Sequence, residues 1–419
     1  MSRRRIIANC TLVTPQGVKA VKGEEMKNLR IVENAFIFIE DGVIKATGEM
    51  KDIEVLGLSG TADWQDVNGR VVLPGFVDSH THLIFGGFRP DEFSWRLKGD
   101  TYMSIMERGG GIQSTVNATR ETDLDTLVAR AEWFIDKMVE MGVTTVEAKS
   151  GYGLDTETEI KMLDAIDALS KKDDRKIDIV PTFLGAHAVP KEYAGKTGEY
   201  CDLIINDMLP KVKDKAKFFD IFTEKNVFEI EDSRRLLQAA KDAGMQLKLH
   251  ADEIVQLGGA ELAAEMGAVS ADHLLHVSDE GIKRMAKEGV VATLLPLTAF
   301  ALREPYAPAR KFIDGGCAVA LATDLNPGSC FSGSIPLTIA LACIYMHMSI
   351  EEVITALTLN GAAAVGMAEE VGSIEAGKRA NLVILEFPNY HMLPYYVGMN
   401  CVNTTIWNGE NIYQADKQQ

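Results

Sequence analysis

Two histidines stand two residues apart in the run Pro74-Gly75-Phe76-Val77-Asp78-Ser79-His80-Thr81-His82. On an extended strand, residues two apart face the same side, so His80 and His82 aim both imidazoles at one point. Three further strand-like runs carry histidine or aspartate at their ends: Leu247-Lys248-Leu249-His250-Ala251-Asp252-Glu253, Ala271-Asp272-His273 and Leu321-Ala322-Thr323-Asp324. Three imidazoles (His80, His82 and His250) with the Asp324 carboxylate suit zinc or iron and leave room for water. An HxH pair alone is weak evidence. In a chain with only eight histidines, its combination with the other strand ends predicts one divalent or trivalent metal ion per chain.

A bound metal lowers the pKa of water and polarises a carbonyl, the two things hydrolysis requires. Glu253 lies three residues beyond His250 and past the strand end, where it can shuttle a proton. His273, on the next strand, can accept the proton of water or hold the nucleophile. Alone, these two would read as a solvated loop carboxylate and a hydrogen-bonded core histidine; beside the ligands they read as catalytic, together with Asp324. Arg89, in Gly86-Gly87-Phe88-Arg89-Pro90, would ordinarily be a surface charge. In so acidic a chain, a cation placed here can clamp a substrate carboxylate. Lys149 ends its own strand, and the fourth strand offers only Asp220-Ile221-Phe222-Thr223 before Glu224 and Lys225, so a mononuclear site is expected and Lys149 is read as a supporting group.

These side chains need a frame that brings strand ends together. Strand-like runs begin near Val71, Val143, Ile177, Phe218, Gln246, Ala268, Val290 and Ala318, with helical runs between them. Leu124, Leu127, Val128, Ala131, Phe134, Ile135, Met138 and Met141 form one stripe at helical spacing, stopped by Gly142. Strands alternating with helices imply right-handed crossovers and a parallel sheet. Eight of them over roughly 260 residues predict a closed (β/α)₈ barrel with its chemistry at the strands' C-terminal ends. An open doubly wound sheet is the structural alternative, but no glycine-rich dinucleotide fingerprint is present.

The two ends of the chain have another texture. Ile6–Val13, Asn34–Glu40 and Val43–Ala46 read as strands, with Asp41-Gly42 a hairpin turn. Asn381–Leu385 and Thr404–Trp407 read likewise, with Asn408-Gly409 a second turn. Residues 1–70 and 371–419 are therefore expected to form one small β unit, and 71–370 the barrel.

Composition narrows the rest. Of 419 residues, 46% are hydrophobic and 25% charged, enough apolar content for a large core. A formal net charge of −17 disfavours nucleic acid and anionic membranes as partners, while one local cation can still hold a small anionic substrate. The six cysteines include no CxxC pair, and reduced thiols in a cytoplasm are expected. The basic start Met1-Ser2-Arg3-Arg4-Arg5 lacks a following apolar segment, and the apolar run Ile335–Met346 is too short to span a bilayer.

The Pro74–His82 run resembles the first-strand motif of the amidohydrolase superfamily. The resemblance extends over nearly the whole chain, through Gly109-Gly110-Gly111-Ile112, Lys149–Asp155, Gly185-Ala186-His187, His250–Glu253 and Asp324–Gly328. It implies a (β/α)₈ barrel with a composite β-sandwich, metal ligands His80, His82, His250 and Asp324, and a homodimer. It places substrate contacts on Arg89, Tyr152, His187, Glu253, Asn326, Gly328 and Ser329. The implied reaction adds water to 4-imidazolone-5-propanoate and yields N-formimidoyl-L-glutamate, a step of histidine degradation. A deaminase of a cyclic amidine or nucleobase would share the metal ligands, Glu253 and His273, but has little use for Arg89. A catalytically dead relative should have lost ligands or Glu253, and none is lost.

Overall fold

The computed structural model describes residues 3–54, 57, 62–100, 104, 108, 110–172, 174 and 177–415. Met1 and Ser2 of the basic start and Gly109 of the glycine run lie outside the described residues. The N-terminal segment supplies β1 (Arg4–Thr14), β2 (Arg30–Glu40), β3 (Val43–Glu49), β4 (Asp63–Asp66) and β5 (Val71–Pro74). Then follow β6 (Phe76–Asp78), β7 (Val143–Lys149), β8 (Asp178–Ala186), β9 (Phe218–Thr223), β10 (Gln246–Ala251), β11 (Ser270–His273), β12 (Val291–Leu294) and β13 (Val319–Leu321). The C-terminal segment adds β14 (Leu382–Leu385), β15 (Val402–Trp407) and β16 (Glu410–Gln414).

Chain ends and N-terminal strands share one mixed sheet, ordered β16-β15-β14-β5-β1-β2-β3, with β4 paired to β1. Its alternating apolar residues, among them Ile7, Leu12, Ile37, Ile39, Val72, Ile384 and Ile406, pack into one cluster. The expected turns are both present. Asp41 and Gly42 have φ of 51° and 78°, and Asn408 and Gly409 have 47° and 78°, the left-handed pair that a tight hairpin demands.

β6 to β13 form an eight-stranded sheet in which each strand neighbours the next and every pairing is parallel. Hydrogen bonds just beyond the strands draw its two edges together. The Asp324 amide donates to the His80 carbonyl at 3.0 Å, and the His82 amide to the Leu325 carbonyl at 2.9 Å. The barrel is therefore nearly closed, and its seam runs directly beneath the histidine pair.

One expected element divides. The run from Val71 enters the terminal sheet as β5 and restarts in the barrel as β6, with Gly75 between them. The Gly75 amide donates to the Asn381 carbonyl at 2.8 Å and that of Phe76 to Gly142 at 2.9 Å, so adjacent amides serve different sheets. A Cβ on Gly75 would lie 2.2 Å from Thr144 Oγ1; only glycine permits the switch.

The helix Leu124–Glu140 follows its stripe, burying Leu127, Val128, Ala131, Ile135, Met138 and Val139. Asp123 caps it by accepting from the Thr126 amide at 2.8 Å, and Gly142 leaves it at φ 89°. The apolar run near the C-terminal end becomes the helix Ile335–Ile344, largely buried. Among the described residues, no helix is long and apolar enough to cross a membrane. The six cysteines are unpaired.

Candidate metal centre and its cavity

The barrel brings the separated strand ends to one point. His80 and His82 follow β6, His250 lies in β10, and Asp324 follows β13; all four are buried. The Asp78 carboxylate accepts from the Thr323 amide at 2.9 Å and its hydroxyl at 2.6 Å, which ties the exits of β13 and β6 together. His82 Nε2 lies 3.3 Å from His250 Nε2. Asp324 Oδ1 lies 3.4 Å from His82 Nε2 and 3.6 Å from His80 Nε2.

Carboxylates behind the rings set their orientation. His80 Nδ1 is 2.6 Å from Asp272 Oδ2, and His250 Nδ1 is 3.1 Å from Asp220 Oδ2. Each contact favours the proton on Nδ1 and leaves Nε2 with its lone pair toward the centre. Lys149 Nζ lies 2.7 Å from both Asp220 and Glu147, and Lys248 Nζ lies 3.5 Å from Asp272 and 3.6 Å from Glu147. These lysines hold the carboxylates that hold the histidines, and Lys149 meets Asp220 as a partner. Burial and the nearby Lys149 charge push His80 well below the usual imidazole range. Burial also opposes a charge on His250, but the Asp220 carboxylate outweighs it and raises that pKa.

The cluster passes a test for a metal. His80 Nε2 and Asp324 Oδ1 are buried without any hydrogen-bond partner, a condition that costs about 1–3 kcal/mol per group when nothing compensates it. Both face the same centre as the His82 and His250 nitrogens. One ligand atom each from His80, His82 and His250 lies within 4.8 Å of the others, and the same holds for His80, His273 and Asp324. Thr298 Oγ1 donates to Asp324 Oδ2 at 2.6 Å and leaves Oδ1 directed inward. A cation is the group that would satisfy lone pairs converging in this way.

The backbone around the centre is strained. Asp252, His273 and Asp324 have φ of 49°, 75° and 55°, conformations uncommon for residues with a side chain. Asp252 is held there by accepting from the Leu257, Gly258 and Gly259 amides at 2.8–3.1 Å. Strain of this kind persists where surrounding bonds over-determine it.

Above the centre lies a cavity of about 480 Å³. His82, His250 and Asp324 line it together with Arg89, Tyr152, His187, Glu253, His273, Asn326, Gly328 and Ser329. Every expected site residue except His80, which sits beneath, therefore opens into one space. Glu253 Oε1 is 3.5 Å from His273 Nδ1. Burial and the Asp324 carboxylate push the Glu253 pKa up to about 8, and burial lowers His273 well below the usual range. His187 stacks on His82 with ring centroids 4.9 Å apart, and its Nδ1 lies 3.0 Å from the Gly151 carbonyl. Next to the cluster, Asn326 Nδ2 donates to the Asp324 carbonyl at 2.8 Å, and its Oδ1 accepts from the Gly328 and Ser329 amides at 2.8 and 2.7 Å, which shapes a compact loop. A Cβ on Gly328 would stand 1.9 Å from Arg89 Nη2, so glycine is what lets the guanidinium lie against that loop.

Among the polar residues lining the cavity, sequence reasoning missed Arg96, His276, Thr298 and Glu304. Arg96 had a signal, since it lies two helical turns from Arg89. Thr298 and His276 had none, because each reaches the cavity only through the fold.

A profile of the amidohydrolase family matches residues 71–412, a span containing every candidate site residue. The chain belongs to the amidohydrolase family. Within it, the chain is 61% identical to the imidazolonepropionase of Bacteroides thetaiotaomicron over 411 residues, which is 98% of this chain and 99% of that protein. It is 56% identical to the imidazolonepropionase of Clostridium tetani over 412 residues, 98% of each. Among solved structures, the 5-methylcytosine deaminase of Klebsiella pneumoniae superposes with a TM-score of 0.74 at 19% identity, covering 99% of this chain and 98% of that one. At that identity the likeness shows the amidohydrolase fold and not the substrate.

Proposed function

We propose that this amidohydrolase cleaves the cyclic amide bond of 4-imidazolone-5-propanoate and releases N-formimidoyl-L-glutamate. The observation that carries the reading is one cavity whose wall holds converging metal-ligand atoms, Glu253 and Arg89 together. The name carried by relatives 61% and 56% identical over nearly the full chain supports the same substrate. A deaminated base would give Arg89 no anionic group to hold, whereas a propanoate does.

His80, His82, His250 and Asp324 would hold one zinc or iron ion, a donor set that both accept. When bound, the ion supplies Lewis-acid polarisation of the amide carbonyl and makes water more acidic. Glu253 moves the protons: a carboxyl poised near neutrality can take one from the attacking water and deliver it to the departing ring nitrogen. His273, 3.5 Å from Glu253, orients that carboxyl and the water. The water oxygen bonds to the carbonyl carbon, the carbon–nitrogen bond breaks, and the ring opens to a carboxylate and a formimidoyl nitrogen. Tyr152 and His187 wall the ring, and the amides of Gly328 and Ser329 border it. We further read the enzyme as a cytoplasmic homodimer, for which light scattering should give twice the chain mass.

The direct test follows ultraviolet absorbance of the imidazolone during incubation with enzyme whose metal content is measured on the same sample. Loss of the ring chromophore with formation of formimidoylglutamate is expected. Ammonia release from cytosine or guanine at higher kcat/KM would establish deamination instead.

Arg89→Ala tests the carboxylate contact. The Arg89 Nε is buried without a hydrogen-bond partner, and its Nη1 lies 3.4 Å from Glu92, so the guanidinium retains donors for a ligand. A charge-assisted interaction of about 1.5–3 kcal/mol is at stake. KM for the propanoate substrate should rise on the order of tenfold or more, with a smaller fall in kcat if the contact also orients the reacting carbonyl. Equal wild-type efficiency on an imidazolone lacking the side chain would exclude the clamp.

A further inference from the structure

Arg96 also lines the cavity. It belongs to the helix Pro90–Leu97, and Arg89 caps that helix's N-terminal end. Arg96 Nη2 donates to the Gly328 carbonyl at 3.2 Å, while a Cβ on Gly328 would collide with Arg89. The two guanidinium groups therefore meet the same peptide, one through its carbonyl and the other across its Cα. The Arg96 guanidinium carbon lies over Phe93 and Phe331, 5.7 and 5.8 Å from the ring centroids, and those rings touch edge-on at 4.9 Å. Such faces attract and orient a guanidinium.

Charge is the second observation. Among the described residues, no carboxylate forms an ion pair with Arg96, and Glu92 is 3.4 Å from Arg89. Glu92 is itself engaged by the Gly111 amide at 3.0 Å. Burial and the Arg89 charge both disfavour a charge on Arg96. Two cations thus meet at one peptide of the cavity wall, with Glu92 paired to one of them, an arrangement that an anionic ligand would complete.

We propose that Arg96 is a specificity-determining, positioning residue: it fixes the Gly328 peptide against Arg89 and adds a second positive charge to the part of the cavity wall that receives the substrate carboxylate. This rests on the ring-hydrolase reading above and extends it from one cation to two. A residue that only braced the loop would affect charged and uncharged substrates alike; one that also supplies charge separates them.

The experiment compares wild type, Arg96→Met and Arg96→Lys on 4-imidazolone-5-propanoate and its uncharged propanamide. Methionine keeps an unbranched apolar chain over the two phenylalanines; lysine keeps the charge without the planar fork. In Arg96→Met, KM for the propanoate should rise on the order of tenfold, the scale of one charge-assisted contact. Its metal content should be unchanged, and KM for the propanamide should rise by a clearly smaller factor, the share owed to the lost bond to the Gly328 carbonyl. Arg96→Lys should recover part of the KM. Equal losses on both substrates, or no change on either, would overturn the proposal and leave the hydrolase reading intact. Calorimetric titration with imidazole-4-propanoate and imidazole-4-propanamide separates the opposite case. If wild type opens neither ring, the hydrolase reading fails. Arg96 then stands only if wild type prefers the propanoate probe and Arg96→Met loses that preference; no preference in wild type overturns it.

Discussion

Replacing His250 by alanine is expected to remove metal and activity together. His250 Nε2 lies 3.3 Å from His82 Nε2, and it is the only ring nitrogen of the cluster contributed by β10. Without it, the Asp220 carboxylate behind the ring keeps Lys149 but loses the imidazole it orients. Removing an outer anchor of a metal site typically costs 10–100-fold in affinity or activity; removing a ligand should cost more, on the order of 10³-fold in kcat/KM. Metal analysis should fall from about one ion per chain to a small fraction. The fold should survive, because the imidazole lies at the barrel mouth and alanine leaves the flanking core residues Leu249 and Ala251 in place. Full activity in protein shown to be metal-free would disprove the assignment of this cluster.

Glu253→Gln should separate proton transfer from metal binding. The amide is nearly isosteric and cannot carry the proton, so turnover should drop by about 10²–10⁴-fold with metal content unchanged. His273→Ala should also slow turnover by about 10²-fold or more. It is the more searching variant, because His273 offers a nitrogen within 4.8 Å of ligand atoms of His80 and Asp324. Retained metal with lost turnover assigns His273 to the reaction; metal lost along with turnover assigns it to the ligand set. Near-normal turnover in both variants would make the two residues bystanders.

Much of this architecture was legible in one dimension because it depends on neighbours. His80 and His82 converge as the two-residue spacing suggested, although both lie just past the end of β6 rather than on the strand. Helical periodicity marked Leu124–Glu140, and Asp-Gly and Asn-Gly marked two hairpin turns. Seven of the eight barrel strands start within two residues of their expected positions, from Val143 to Val319. The exception is instructive. Val71–Val77 is apolar throughout, which is all that periodicity registers, but Gly75 hands the chain from one sheet to another. That division follows from the Thr144 side chain lying where a Cβ would be, a contact with a strand far along the chain.

By itself, then, the sequence determined which residue types end the strands, the alternation of strands and helices, and a net acidic charge. Those properties follow from local periodicity and from summed charge, both of which can be counted along a chain. Tertiary structure alone decided which carboxylate stands behind which histidine. Asp272 reaches His80 across 192 residues, and Asp220 reaches His250 from the adjacent strand. It alone turned Thr298 toward Asp324 and laid Arg96 against Gly328 across 232 residues. These contacts arise from barrel closure and from left-handed backbone at His273 and Asp324, and no local pattern encodes a distance between residues so far apart in the chain.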